Sequence, residues 1–160
     1  MARSTDTKKR RQERALKLGV VLARAEAAVE EHARAHVAQH GLTLPEFAIL
    51  EALYHKGDLL HGDLQRKILV TSGGVTYLVD RLVDKGLVER RDCPNDRRAR
   101  YAVLTAEGRA LIRRIFPQHA AWLEQAVAGL TPDEQAEAIR LLRTLGKYAA
   151  DAQPGESAEP

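Results

Sequence analysis

Three arginines, Arg97, Arg98 and Arg100, crowd into the stretch RRDCPNDRRARYAVLT (residues 90–105). Cations held that close repel one another unless something anionic comes to meet them. Pro94, Asn95 and Asp96 are turn formers, Tyr101 to Leu104 suits a short strand, and Leu87 to Asp92 can pair with it. The arginines then sit on the tip of a hairpin, and the chemistry on offer is anion binding.

Two other sets of residues could do chemistry. His32, His36 and His40 recur every four residues and continue the apolar stripe of Leu18, Leu22 and Val29 on a helical wheel, so they are expected to face inward. A rise of ~1.5 Å per residue separates the outer two by ~12 Å, so one metal ion cannot take all three, although any pair could share one with remote ligands. A ligand-pocket or helix-interface role and plain hydrogen-bonded packing both account for them; no metal or other cofactor is assigned. Cys93, the only cysteine, follows Arg90 and Arg91 and precedes Arg97. Neighbouring cations favour a thiolate, which makes a redox or quinone-alkylation sensor reasonable beside the plainer reading of a strand-end residue.

The elements that must position these groups are mostly helices. Aromatics make up 4% of the 160 residues while Ala, Leu, Arg and Glu abound, and a 44% hydrophobic content is enough to bury a core. A first helix covers about 8 to 39 and stops at Gly41. Thr43 and Glu46 form a capping box for a second, whose apolar stripe of Phe47, Leu50 and Leu53 ends before Gly57. HGDLQRKIL (61–69) buries Leu64 and Ile68, VTSGG interrupts, and VTYLVDRLVDKG (75–86) turns Val75, Leu78, Val79 and Leu82 inward. Thr105 caps a fifth helix that Pro117 should kink, and Thr131, Pro132 and Glu134 start a sixth.

Helix, short turn, helix and basic hairpin have a mechanical logic: a helix fits the major groove of DNA while a basic loop reaches the neighbouring groove. The outward face of the second helix of this pair offers Ser72, Gly73, Thr76, Tyr77, Asp80 and Arg81, with Thr71 and Gly74 beside its start. Small residues at 72–74 let backbone N–H groups approach a phosphate at the positive end of the helix dipole. Thr76, Tyr77 and Arg81 are placed for base edges or sugars, and Arg97, Arg98 and Arg100 for a narrow minor groove.

Charge is distributed accordingly. Residues 1–20 carry seven Lys/Arg against two Asp/Glu, residues 65–114 twelve against six, and the last ten residues are acidic, on a chain whose net charge is +3. Basic segments on an otherwise acidic protein are a nucleic-acid footprint, with a solvated surface as the plainer alternative. KKRR (8–11) divides in the same way, between phosphate contact near a dyad and a frayed helix start. Trp122 lies in an amphipathic helix and reads as core or interface. A phosphate loop, a nucleophile elbow and an HExxH motif are all missing, so no enzyme is expected. No stretch approaches the ~20 apolar residues of a membrane span and no signal-type run opens the chain, which reads as cytoplasmic.

LVDKGLVERRDCPNDRRARYAVLTAEG resembles the wing of MarR-type winged-helix regulators, with its Gly-Leu, Arg, Asp-x-Arg, alternating apolar residues and Leu-Thr-x-x-Gly close. The resemblance spans roughly residues 15–148. LPEFAILEALYHKGD, SGGVTYLVDRLVDKGL and CPNDRR are most similar to MhqR-type repressors, which respond to quinones and hydroquinone-like aromatics. It implies a mainly α fold: residues 43–104 form a winged helix-turn-helix lobe with a two-stranded wing. Residues 1–42 and 105–150 form a dimerisation region, and 151–160, without apolar pattern, a disordered tail. It further implies that Asp96 braces the wing, that Arg98 enters the groove and that the helix from Ser72 reads. Effectors in this family bind between the dimer helices and the reading lobe, which gathers His32, His36, His40, Phe47 and Leu50 as candidate pocket residues. The thiol-sensing branch keeps its cysteine near the N-terminus, where this chain has none.

A dimer has support apart from the resemblance, because ALIRRIF, WLEQAVAGL and AIRLLRTLGKYAA carry more apolar surface than one lobe needs to cover itself. The alternative is a larger monomeric core. The expected function is a homodimeric repressor of a pseudo-palindromic operator on double-stranded DNA, released by a small aromatic, phenolic or quinone-like effector. An architectural or protein-interaction module without effector, or a thiol- or metal-responsive regulator, remains the alternative.

Overall fold

The computed structural model describes residues 2–68, 72–93 and 96–152, with the side chains of residues 2–6, 72–73 and 96–98 outside the description. Among these residues the order is α1 (Ala2–Ala38), α2 (Leu44–Lys56), β1 (Leu59–Leu60), α3 (His61–Ile68), α4 (Ser72–Asp84), β2 (Val88–Cys93), β3 (Asp96–Leu104), α5 (Ala106–Ala126) and α6 (Pro132–Asp151). The chain divides into one compact unit of residues 1–123 and a second of 124–160. No helix among the described residues is long and apolar enough to cross a membrane.

Local sequence sets the boundaries of these elements. Gly41, at φ 70°, takes the left-handed turn between α1 and α2 that a side chain would resist. Thr43 then caps α2: its Oγ1 accepts from the Glu46 N–H while the Glu46 carboxylate accepts from the Thr43 N–H. Gly86, also at φ 70°, ends α4, and the Leu87 N–H donates back to the Leu82 carbonyl at 2.9 Å. Thr105 stitches the start of α5 to this turn, donating to the Gly86 carbonyl at 2.7 Å and accepting from the Gly108 N–H at 3.0 Å.

The core of the first unit is a single cluster. Phe47, Ile49, Leu50 and Leu53 of α2 meet Leu64 of α3, Val75, Val79 and Leu82 of α4, and Ile112 and Ile115 of α5. Each side chain of this size contributes roughly 1.5–3 kcal/mol on full burial, so the lobe is held by its helices. Val88, Ala102 and Leu104 tie the sheet to the same cluster.

Several expectations need correction. The wing is two-stranded as expected, β2 paired with β3, but among the described residues a third strand joins it in the order β1-β3-β2, because Leu59 and Leu60 pair antiparallel with Ala102 and Tyr101. A two-residue strand carries no periodicity, so nothing in its sequence announces it. α4 begins at Ser72, where the resemblance puts the reading helix, although the periodic pattern resumes only at Val75; packing of Val75, Val79 and Leu82 outweighs the poor helix propensity of the glycines. α1 begins at Ala2 rather than near residue 8, while Pro117 lies inside α5, the helix in which the sequence places it. β3 starts at Asp96, so Arg97 and Arg98 lie within its span; the turn residues Pro94 and Asn95 fall outside the described residues, and of the expected disordered tail 151–160, Asp151 ends α6 while 153–160 lie outside the description.

Among the described residues of the first unit, nothing covers the apolar stripe of α1. Leu18 is 53% exposed, Leu16, Val20 and Val21 are likewise open, and burial begins only at Ala33. In the second unit, the Thr131–Glu134 capping box starts α6, and Gln135 Nε2 donates to the Leu130 carbonyl at 3.0 Å. α6 buries no residue, leaving Ile139, Leu141, Leu142 and Tyr148 exposed.

Candidate nucleic-acid interface

α4 is amphipathic in the sense its sequence predicts. Val75, Val79 and Leu82 are buried, Leu78 is half-buried, and Thr76 and Tyr77 are exposed on the opposite side. Gly74 is half-buried near the helix start; Thr71 lies outside the described residues, as do the side chains of Ser72 and Gly73. Tyr77, at 60% exposure, is a large apolar ring that a monomer leaves in water.

Arg81, one turn on, is held in place. Its Nε donates to Glu46 Oε1 at 2.8 Å and its Nη1 to the Tyr77 hydroxyl at 3.3 Å, with the guanidinium 5.8 Å from the centre of the Tyr77 ring. These bonds, to Tyr77 first and then Glu46, raise the Arg81 pKa above its ordinary value. Glu46 is fully buried. Burial alone would raise its pKa, but hydrogen bonds from Lys85, the Thr43 N–H and Arg81 overcome that and hold it at about 2.

The wing stands beside this helix. Arg90, Arg91 and Asp92 of β2 lie opposite Ala102, Tyr101 and Arg100 of β3, and the register then slips so that Cys93 faces Asp96. A slip of this kind bends a hairpin and alters its twist. Arg90 turns inward to pair with Asp80 of α4, which joins wing and helix directly. Arg91 reaches Asp58 at 3.2 Å and Glu89 at 3.1 Å, while Arg100 is exposed and only 3.6 Å from Asp92. The backbones of Asp96, Arg97 and Arg98 are part of β3, and their side chains lie outside the description.

Between α3, α4 and the wing opens a cleft of about 560 Å³, lined by His61, Arg66, Thr76, Asp80, Arg90 and Arg100 among others. Sequence reasoning missed His61, Arg66 and Arg90 as members of this surface. Only the facing of α3 toward the wing brings them together, and Arg66 is paired with Asp63 on its own helix. Burial, then the charge of Arg90, lowers the His61 pKa, so that no extra cation forms there near neutrality.

Histidines gather elsewhere, and not all as expected. His36 is buried, with ring centres 5.2 Å from His40, 5.5 Å from His119 of α5 and 5.6 Å from Trp122. His119 also packs on Phe47 at 4.4 Å. His32 is exposed among the described residues of the first unit: the buried stripe runs through Ala33, His36 and Val37, a register that leaves His32 off it. Leu50 belongs to the core cluster. Both nitrogens of His36 and Nδ1 of His119 have no hydrogen-bond partner among the described residues. Burial first, and then His40, lowers the His36 pKa; Gln118 opposes this without making a bond of ordinary geometry. Burial and then His36 lower that of His119. His119 was invisible in the sequence because it stands 79 residues beyond His40 on another helix. No group of three or more His, Cys, Asp or Glu among the described residues is arranged to hold a metal. Cys93 is half-buried and its neighbour is Tyr101, whose hydroxyl pKa it raises.

Residues 40–99 match the MarR family. The HTH-type transcriptional regulator MhqR of Bacillus subtilis is 41% identical over 137 residues, covering 86% of this chain and 94% of that protein. The HTH-type transcriptional repressor Rv2887 of Mycobacterium tuberculosis is 35% identical over 129 residues, 81% of this chain and 93% of that one. Its solved structure in complex with p-aminosalicylic acid aligns with a TM-score of 0.64 at 34% identity, over 81% of this chain and 98% of that chain. Sco3205 of Streptomyces coelicolor, solved in complex with DNA, aligns with a TM-score of 0.78 at 27% identity, over 89% and 93%.

Proposed function

Since the chain belongs to the MarR family of winged-helix DNA-binding transcriptional regulators, we propose that it acts in the cytoplasm as a homodimeric repressor of a pseudo-palindromic operator, released by a small aromatic effector. The observation that carries this reading is the outward face of α4. Thr76 and Tyr77 stand in solvent on a helix whose other face is core, and the Asp80–Arg90 pair sets the wing beside it.

In this reading residues 43–104 form the reading lobe. The backbone at Ser72, Gly73 and Gly74 meets a phosphate at the start of α4, Thr71 lies beside it, and Thr76 and Tyr77 approach base edges in the major groove. Asp96 braces the wing while Arg97, Arg98 and Arg100 enter the adjacent minor groove. The open stripes on α1 and α6 support a dimer, because contiguous apolar surface of this kind is ordinarily buried in a partner. Two-fold symmetry then puts the readers about 34 Å apart, one turn of DNA.

One relative supports the aromatic class of effector: Rv2887 was solved in complex with p-aminosalicylic acid. His36, His119, Phe47 and Trp122 would supply an aromatic, phenolic or quinone-like ligand with ring faces and hydrogen-bonding nitrogens. For such a ligand to act, it must bind the two spacings of the reading helices unequally.

The test has three measurements on the full-length protein. Gel shifts compare its own upstream region with random duplex, sedimentation gives the oligomeric state, and a thermal-shift series covers quinones, catechols and salicylates. A regulator of this kind prefers one duplex strongly, sediments as a dimer and melts higher with its effector. Equal binding to all duplexes would point to an architectural protein, and a monomer would remove the spacing on which operator reading depends.

A further inference from the structure

We propose that Glu46 is a positioning residue for DNA reading: through Arg81 and Lys85 it fixes the rotation of α4, and through Arg81 it fixes the pose of the Tyr77 ring. This rests on the reading of α4 as the helix that enters the major groove.

The geometry is a single hub joining three segments. Glu46 Oε1 accepts from Arg81 Nε at 2.8 Å and from Lys85 Nζ at 3.0 Å, and its Oε2 accepts from Lys85 Nζ at 2.8 Å and from the Thr43 N–H at 2.7 Å. Lys85 Nζ also donates to the Gly41 carbonyl at 2.8 Å, in the turn between α1 and α2. Arg81 and Lys85 are four residues apart on one face of α4, so both cations reach the carboxylate only at one rotation of the helix. A carboxylate removed from water demands its partners, which makes this a stiff constraint.

The consequence for Tyr77 is specific. Arg81 spends its Nε on Glu46 and turns an Nη1 N–H toward the Tyr77 hydroxyl, one turn nearer the start of the helix. An arginine on a reading face would ordinarily be assigned to a phosphate or a guanine. Here its Nε and one Nη1 N–H are directed along the protein, and in this proposal its influence on DNA passes through the aromatic ring that it steadies.

Phosphate contact and positioning differ in what they change. Losing a phosphate contact weakens binding to all sequences alike and lowers the salt slope by about one, whereas losing a positioning contact alters the ranking of sequences. The experiment measures full-length wild type, Glu46→Gln, Arg81→Gln and Tyr77→Ala against single-base variants of the preferred duplex over a salt series. Circular dichroism checks the fold, and Arg81→Gln, at a part-exposed site, keeps the test alive if Glu46→Gln unfolds. We expect Glu46→Gln and Arg81→Gln to shrink the preference at least threefold at the base positions that Tyr77→Ala affects, with unchanged salt slope. Pairing either change with Tyr77→Ala should add nothing at those positions. A preserved ranking in folded variants, or a slope lowered by about one in Arg81→Gln, overturns the proposal while leaving α4 as the reader. Wild type binding every duplex equally overturns both.

Discussion

Gly108 lies so close beneath the Leu87 carbonyl that a Cβ built on it would fall 2.0 Å from that oxygen. The obstructing atoms are backbone, pinned by the Thr105 N–H bond to the same carbonyl, so they cannot swing aside. Gly108→Ala must push the start of α5 off the turn that begins the wing. We expect a loss of about 2 kcal/mol or more, in the range of overpacked cores, read as a lower urea midpoint. An unchanged midpoint would show that α5 and the wing are not locked together here.

Glu46 gives a prediction in acid. Its carboxylate ordinarily titrates at 4.5 and is held at about 2 in the folded chain, so the folded state binds this proton less readily than the unfolded one. The stabilisation, roughly 3 kcal/mol for a shift of this size, is fully present above pH 4.5 and is lost as pH falls through 4.5 toward 2. Lys85→Met removes the strongest hydrogen-bonding partner and should move the acid transition to higher pH. Coincident acid transitions for the two proteins would mean that Glu46 is not the carboxylate in control.

How much of this was legible in the sequence depends on the range of the contact. The Thr43–Glu46 and Thr131–Glu134 caps span three residues, and the glycines at 41, 57 and 86 mark the turns where φ is positive, so local chemistry wrote both. The inward face of α4 followed from its period. What stayed hidden is non-local: Arg81 meets Glu46 across 35 residues, Arg90 meets Asp80 across a helix-to-strand turn, and His119 joins His36 from α5. Residue type indicated that Arg81 was available for DNA, while only the fold shows that its Nε is committed to a buried carboxylate. His32 went astray for a smaller reason, since one residue of helical phase separates an inward position from an outward one.

The histidine group sets a second pH dependence. His36 and His119 have lowered pKa values, from burial first and from a neighbouring histidine second, so the folded chain keeps them neutral. Their stabilising contribution is present above pH 6.5, their ordinary value, and is lost as pH falls below it. The melting temperature should therefore drop between pH 7.5 and 5.5. His119→Phe, which keeps a ring beside Phe47 and cannot be protonated, should flatten that drop; an equally steep profile would place the titrating group elsewhere.

The wing is tested at Arg98. Its partner in the proposed complex is a minor groove, where a single arginine contact contributes on the order of 1 kcal/mol or more. Arg98→Ala should weaken operator binding by more than about fivefold and lower the salt slope, with the melting curve unchanged. Full affinity in the folded variant would confine reading to α4.

The last prediction concerns the open stripe of α1. Leu18 and Leu22 are 53% and 38% exposed, one helical turn apart, and Val21 beside them is equally open. Burying a leucine of this kind in a partner contributes roughly 1.5–3 kcal/mol, and a dimer counts every such contact twice. Leu18→Glu would place a carboxylate in that apolar seam in both copies, where desolvation and mutual repulsion oppose association. It should leave the first unit's core intact, since Phe47, Leu50 and Ile112 do not depend on it, yet shift sedimentation toward monomer at micromolar concentration. Operator affinity should then fall with dimer population, because half-sites bound singly lose the advantage of linkage. A Leu18→Glu protein that still sediments as a dimer would locate the interface away from this face of α1.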